Sequence, residues 1–286
     1  MKKILHISKY YYPDLGGIES VVKQLCEGVT TYHNIVLCYS SDRQSSVTEI
    51  NGVKVFRAGI YANVMSQPLS LGYYNQYRKI VKQYDPKIVV VHCPNPFAYP
   101  MVMMFTPRKT KVVLHWHSDI HDKGHAYNVI RPIESAILKR ANLIVATSQR
   151  YIDGSKRLQE VKDKVKVLQN GITTADFNQR PEDAERIEKI RKEYKGKTIL
   201  LFVGRLIPYK GVDKLIEAEP FIKNDVQILI AGEGYFGYFY RQYAVGHDRI
   251  KFLGRLSYNE IRQYMWAADI FTFPSITKAE AFGVAL

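Results

Sequence analysis

Two cations, Arg205 and Lys210, flank a short loop in LLFVGRLIPYKG that begins at Gly204 and closes at Gly211. Arginine can fork onto two oxygens while lysine offers a point charge. At the carboxyl end of a strand and beside a helix N-terminus, such a pair suits a diphosphate. A second loop, AGEG at 231–234, follows another apolar run and carries Gly232 and Glu233. A third stretch, DIFTFPSITKAEAFGVAL, sets Glu280 just before Phe282 and Gly283 at a helix start. There an acid faces the same crevice as the cations, or simply answers the helix dipole. Near the N-terminus, Gly16-Gly17 opens a helix with Glu19 in its first turn. Paired glycines let an anion approach backbone N–H groups, or simply form a plain turn ahead of the helix. The connection is long and has no third glycine, which disfavours a nicotinamide dinucleotide.

Four of the eight histidines crowd into HWHSDIHDKGH: His115, His117, His121 and His125. His117 falls at the carboxyl end of a strand, where α/β sites lie. The pattern H-x-H-x-D-x-H differs by one residue, Ile120, from the H-x-H-x-D-H of metallo-hydrolases. His115 and His117 share one side of a strand, so two imidazoles could reach one zinc ion. A metal-dependent hydrolase using His115, His117, Asp119 and His121 is therefore one open reading. The other, for His115, is a satisfied core histidine. No D-x-D pair occurs in the chain.

The elements that must position these groups alternate between strand and helix. Apolar runs at 3–7, 34–39, 53–56, 87–92, 111–115, 143–147 and 165–168 read as buried strands. Helical patterns fall at 18–31, 133–140 and 149–160. The alternation predicts an α/β fold with a parallel sheet covered on both sides. It breaks in the polar stretch 179–197, read as a linker and an exposed helix, then restarts with strands at 198–203, 226–231, 250–253 and 269–273. Expected domains are thus 1–178, the linker 179–197, and 198–286. The second domain is read as incomplete, because the chain ends in the first turns of a helix.

Charge separates the halves. Of the net +14, residues 1–180 hold +12. That excess suits an acidic partner: nucleic acid, anionic lipid or a phosphorylated substrate. A basic nucleic-acid-binding protein stays open as an alternative, although no RNP, KH, zinc-finger or helix-turn-helix pattern is present. Arg78, Lys79 and Lys82 share a helical stretch with Tyr73, Tyr74 and Tyr77, a combination that suits a membrane interface and equally a solvated amphipathic helix. Cys26, Cys38 and Cys93 form no CxxC pair, as befits a reducing compartment, and no apolar run approaches the ~18 residues of a membrane span. The expected location is cytoplasmic, either free or peripheral on the inner face of the cell membrane.

Taken together, GGIE, the HSD strand end, N-G-I at 170–172, GRL-x3-KG and E-x-F-G resemble the retaining glycosyltransferases of family 4. The resemblance implies the GT-B fold, two Rossmann-like domains facing across a cleft. It also implies transfer of a sugar from a UDP- or GDP-linked donor to a glycan or lipid-diphosphate acceptor in polysaccharide biosynthesis. Nucleic acid would then be no partner. On this basis Gly16 and Gly17 contact donor phosphate or sugar, and His117 lies by the reacting centre. Arg205 and Lys210 clamp the diphosphate, and Glu280 matches the first Glu of E-x7-E near the transferred sugar. Gly204, Gly232, Glu233, Phe282 and Gly283 fall on the donor side. No cofactor or metal is implied, since two cations replace a divalent ion. The second Glu of E-x7-E would fall two positions past Leu286, so weakened donor binding is expected.

Overall fold

The computed structural model describes residues 1–14, 16–64, 67–120, 126–171 and 173–276. His121, His125, Glu280, Phe282 and Gly283 lie outside the described residues. The chain divides into two compact units, Met1–Gly171 and Ile172–Leu286.

The first unit runs β1 (Lys3–Ile7), α1 (Gly17–Gly28), β2 (His33–Tyr39), β3 (Ser46–Ile50), β4 (Val53–Ala58), β5 (Ala62–Val64), β6 (Gln67–Leu69), α2 (Leu71–Tyr84), β7 (Ile88–Cys93) and α3 (Ala98–Phe105). It continues with β8 (Lys111–Trp116), α4 (Ala126–Arg140), β9 (Leu143–Ala146), α5 (Gln149–Gly154), α6 (Lys156–Gln159) and β10 (Val165–Val167). Eight strands form one sheet in the order β10-β9-β8-β7-β1-β2-β4-β3, and β5 pairs β6 in a separate hairpin. The central strands are buried along nearly their whole length, as a doubly covered parallel sheet requires. Helix α1 sets Val22 and Cys26 against Val36, Cys38, Val53 and Val55.

The sheet is not wholly parallel, as the alternation predicted. Strand β3 pairs antiparallel with β4 through Asn51-Gly52, both at positive φ (48° and 77°). Asn-Gly is a strong hairpin signal. It escapes a search for apolar runs because β3 is exposed along most of its length.

Helix α2 corrects a second expectation. Tyr73 and Tyr77 do not flank its cations at an interface; both are fully buried. Tyr73 stacks on Tyr39 with ring centroids 4.1 Å apart, and Tyr77 shares a 2.5 Å hydrogen bond with Thr106. Only Asn75, Arg78, Lys79 and Lys82 line a shallow hollow on the helix's outer face. The single helix expected at 149–160 is two, because Ser155 caps the second by accepting from the Leu158 N–H.

The second unit runs α7 (Ala184–Glu193), β11 (Thr198–Val203), α8 (Val212–Ala218), β12 (Val226–Ala231), α9 (Gly237–Tyr243), β13 (Ile250–Gly254), α10 (Tyr258–Ala267) and β14 (Ile270–Phe271). Its sheet is parallel, ordered β13-β12-β11-β14. Helix α7, expected as an exposed linker helix, belongs to this unit's core. Ile187, Ile190 and Tyr194 pack with Leu201, Leu229 and Tyr264. The abundant charges of 179–197 mask this narrow apolar stripe. Asp183, just before α7, is fully buried and takes two hydrogen bonds from the Arg262 guanidinium, at 2.7 and 3.0 Å, and one from Gln263. The Trp266 indole N–H donates to the Phe177 carbonyl at 2.8 Å, tying residues ahead of α7 to α10. Among the described residues, no helix is long and apolar enough to cross a membrane.

Candidate active site

In the first unit a polar diagonal crosses one face of the sheet. Register pairs Ile4 with Asn34, His6 with both Val36 and Val90, and His92 with His115. Side chains two apart on a strand share a face. Asn34, His6, His92, His115 and His117 therefore point the same way as Val36, which lies under α1. All five are buried. His6 Nδ1 lies 3.2 Å from His92 Nε2, and His92 Nδ1 lies 3.1 Å from His117 Nε2. At the far end His6 Nε2 meets Asn34 Oδ1 at 3.3 Å.

Burial keeps these imidazoles neutral, since a charged ring loses its hydration there. It pushes His6 down to about 4, and His115 to about 4 with help from His6. His92 is held well below the usual histidine range by burial and then by His115, His117 and His6. His117 is held low by burial and by His115.

His92, His115 and His117 are the one described cluster whose nitrogens, within 4.8 Å of one another, could hold a metal ion. Both ring nitrogens of His92 are already engaged in hydrogen bonds, so an ion would have to break the chain. The Nε2 of His115 has no partner, so this histidine is buried without being satisfied. Of the four-residue metal set read from sequence, His121 lies outside the described residues and Asp119 is engaged elsewhere. Asp119 instead accepts from the Trp116 indole at 2.8 Å and from the Ser155 hydroxyl at 2.9 Å. At the head of α1, Gly16 is extended and Gly17 begins the helix. A Cβ on Gly16 would lie 2.1 Å from Glu19 Oε2, so that helix start already carries a carboxylate.

In the second unit three loops meet beyond the carboxyl ends of β11, β12 and β14. The Leu206 N–H donates to the Glu233 carbonyl, Phe236 N–H to Leu206, and Ile276 N–H to Tyr209. This zipper requires glycine. Gly232 sits at φ +133°, and a Cβ there would lie 1.9 Å from the Gly204 carbonyl oxygen. Gly211 sits at φ +69°, and a Cβ there would lie 2.0 Å from the Pro274 carbonyl oxygen. Neither site admits a side chain, because the obstacle is backbone.

Arg205 is exposed on this cluster, whereas Lys210 is 8% exposed. Tyr209 links them: its hydroxyl accepts from Arg205 at 3.2 Å, and its ring lies 5.6 Å from the Lys210 ammonium. Phe273 offers a second ring to Lys210 at 5.2 Å. The loops thus gather two cations around one tyrosine, a setting for a multiply charged anion.

The comparisons with known proteins follow this division. Residues 15–176 match the family described as Glycosyltransferase Family 4, and residues 183–286 the one described as Glycosyl transferases group 1. The chain belongs to the family 4, group 1 glycosyltransferases. It is 31% identical to the D-rhamnosyltransferase WbpZ of Pseudomonas aeruginosa over 99% of this chain and 74% of that protein. It is 28% identical to the O-antigen chain mannosyltransferase C of Escherichia coli over 99% of this chain and 76% of the relative. Among solved structures, Anabaena HepE in complex with UDP and glucose superposes with a TM-score of 0.74 over all of this chain and 77% of that one, at 20% identity. The glycosyltransferase thus has the GT-B fold expected from its sequence.

Sequence reasoning singled out His117, Arg205, Lys210 and the glycines of the loops, but not the neighbours they meet in the structure: Asn34, His6 and His92 for His117, and Tyr209 and Phe273 for the two cations. His6 and His92 each interrupt a strand that is otherwise apolar, LHI and VVHC, and that interruption was the available signal.

Proposed function

We propose that this glycosyltransferase moves a sugar from a nucleoside-diphosphate donor, UDP- or GDP-linked, to a glycan or lipid-linked acceptor, with retention at the anomeric carbon. The observation that carries this reading is the loop cluster at the carboxyl end of β11, where Arg205 and Lys210 flank Tyr209. When the anomeric bond breaks, negative charge grows on the leaving diphosphate. Two pre-placed cations stabilise that charge without reorganising, so no divalent ion is needed. The acceptor hydroxyl attacks from the face the diphosphate leaves, and a diphosphate oxygen takes its proton. His117 is the first unit's contribution, a neutral imidazole that binds sugar hydroxyls. Gly204, Gly232 and Glu233 supply backbone groups on the donor side, with Gly16 and Gly17 serving from the first unit. Glu280, Phe282 and Gly283 carry the same proposal from sequence alone.

WbpZ and mannosyltransferase C carry deoxyhexosyl and mannosyl transfer in their names, and HepE was solved with UDP and glucose. These support a nucleotide-sugar donor and a growing surface glycan as acceptor. The +12 charge of residues 1–180 supports an anionic acceptor such as a lipid diphosphate, with the protein peripheral on the inner membrane face. A thermal-shift series with UDP, GDP, ADP and their sugars tests the donor assignment. A ligand at 100 times its Kd stabilises the folded state by ~2.7 kcal/mol. We expect one nucleotide to raise the melting temperature, Arg205→Ala and Lys210→Ala to abolish the rise, and EDTA to leave it intact. No response to any nucleotide would refute the reading.

A further inference from the structure

The buried histidines carry a directional argument. The Asn34 amide is oriented by its other end: Nδ2 donates to the Cys26 carbonyl at 2.8 Å and to the Val29 carbonyl at 2.9 Å. Turning the amide over would set its oxygen against two carbonyl oxygens, which can only accept. Oδ1 therefore faces His6, and His6 Nε2 must carry the hydrogen that bridges the 3.3 Å between them. A neutral imidazole has one N–H and one lone pair. His6 Nδ1 is then bare, so across 3.2 Å the hydrogen sits on His92 Nε2. His92 Nδ1 is bare in turn, so across 3.1 Å the hydrogen sits on His117 Nε2. The opposite order would leave His6 Nε2 and Asn34 Oδ1 facing each other as two lone pairs.

We infer that Asn34, acting through His6 and His92, fixes the tautomer of His117, so that Nε2 carries the proton and bare Nδ1 is the nitrogen offered to a substrate hydroxyl. Asn34, His6 and His92 are positioning residues. They touch no substrate, and they decide whether His117 accepts a hydrogen bond from a sugar hydroxyl or donates one to its oxygen. The low proton affinity of the buried rings supports this, because a chain of neutral imidazoles keeps its direction only while none takes an extra proton. The chain also runs through both nitrogens of His92, which argues against a metal ion at the same cluster. The use made of Nδ1 rests on the function proposed above; the tautomer itself does not.

The test reads the tautomer directly. In the 286-residue chain labelled with 15N-histidine, long-range 1H–15N correlation at pH 7 to 8 distinguishes bare from protonated ring nitrogens. Single substitutions of each histidine by Gln assign the signals, with His33 and His247 as references outside the chain. We expect His6, His92 and His117 each to show Nε2–H and bare Nδ1. Asn34→Ala removes the anchor and should turn the single His117 tautomer into an averaged mixture. His6→Phe, which keeps the space filled, should do the same. Nδ1–H on His117 in the unsubstituted chain overturns the inference, and so does an unchanged tautomer in a folded Asn34→Ala chain. Should Asn34→Ala not fold, the unsubstituted spectrum and His6→Phe still decide. If the tautomers are as stated but His117→Ala leaves sugar transfer intact, the functional reading of His117 fails while the tautomer assignment stands.

Discussion

In the first unit the groups of interest sit on strands or just past a strand end, buried, and Asn34, His6, His92 and His117 are linked side chain to side chain. In the second they stand on loops beyond the strand ends, and glycine-lined backbone contacts hold those loops together. Strand placement gives orientation: His92 on β7 has its face fixed by alternation and both ring nitrogens engaged by neighbouring rings. Loop placement gathers charge: Arg205 is exposed, and Lys210 is packed beneath the rings of Tyr209 and Phe273.

Four perturbations separate the two designs. The largest effect is expected from Trp116→Ala. Trp116 is fully buried between His115 and His117 in sequence and is held on the opposite face of β8. Removing a large buried aromatic costs about 3–5 kcal/mol. Urea unfolding followed by amide exchange should show that loss in residues 1–171 and an unchanged midpoint in the second unit. Equal losses in both would mean the units do not unfold separately.

Next come Arg205→Ala and Lys210→Ala. Losing one stabiliser of transition-state charge costs roughly 2.7–4 kcal/mol, or ~100- to 1000-fold in kcat. Stability should move little for Arg205→Ala, because that side chain is exposed. Near-normal transfer by both variants would remove the charge role from the loop cluster.

Acid sharpens the contrast further. His6 and His115 bind protons less readily when folded than when unfolded, with folded values about 4 against 6.5. The unfolded chain therefore holds more protons between those values, and stability rises with pH there. The contribution is complete above about pH 6.5 and is lost as pH falls towards 4, up to about 3 kcal/mol per histidine. In the second unit Asp183 is held well below the ordinary aspartate value, first by Arg262. Its contribution persists until pH falls below 3.8, the unfolded value. Residue-resolved exchange from pH 7 to 4 should thus show the first unit weakening before the second.

The smallest effect is expected at Ser257, which caps α10 by accepting from the Glu260 N–H while Glu260 returns a bond to the Ser257 N–H. Ser257→Ala should cost about 1 kcal/mol, in the second unit alone. Thermal unfolding read by far-UV circular dichroism would resolve it.

How far each design was legible in the sequence follows from the same contrast. Gly204, Arg205 and Lys210 lie within one short βα loop and Gly232 within the next, so local patterns expose them. The central strands were legible as apolar runs. The histidine diagonal was not, because Asn34, His6 and His92 come from three separate strands and meet only when register is known. His117 was found without the neighbours that aim it. Strand β3 and the inward tyrosines of α2 were missed for a related reason. An exposed edge strand shows no apolar run, and Tyr73 and Tyr77 beside cations read as amphipathic until Tyr39 and Thr106 claim them.

The chain has two tryptophans, and each unit holds one. Trp116 is sealed in the first sheet, while Trp266 is 45% exposed at the end of α10, its indole N–H on Phe177. Their light should differ accordingly: short-wavelength emission shielded from iodide for Trp116, longer-wavelength and quenchable emission for Trp266. The protein carries an optical label for each half, so one cuvette can follow the two foldings apart without attaching anything to either.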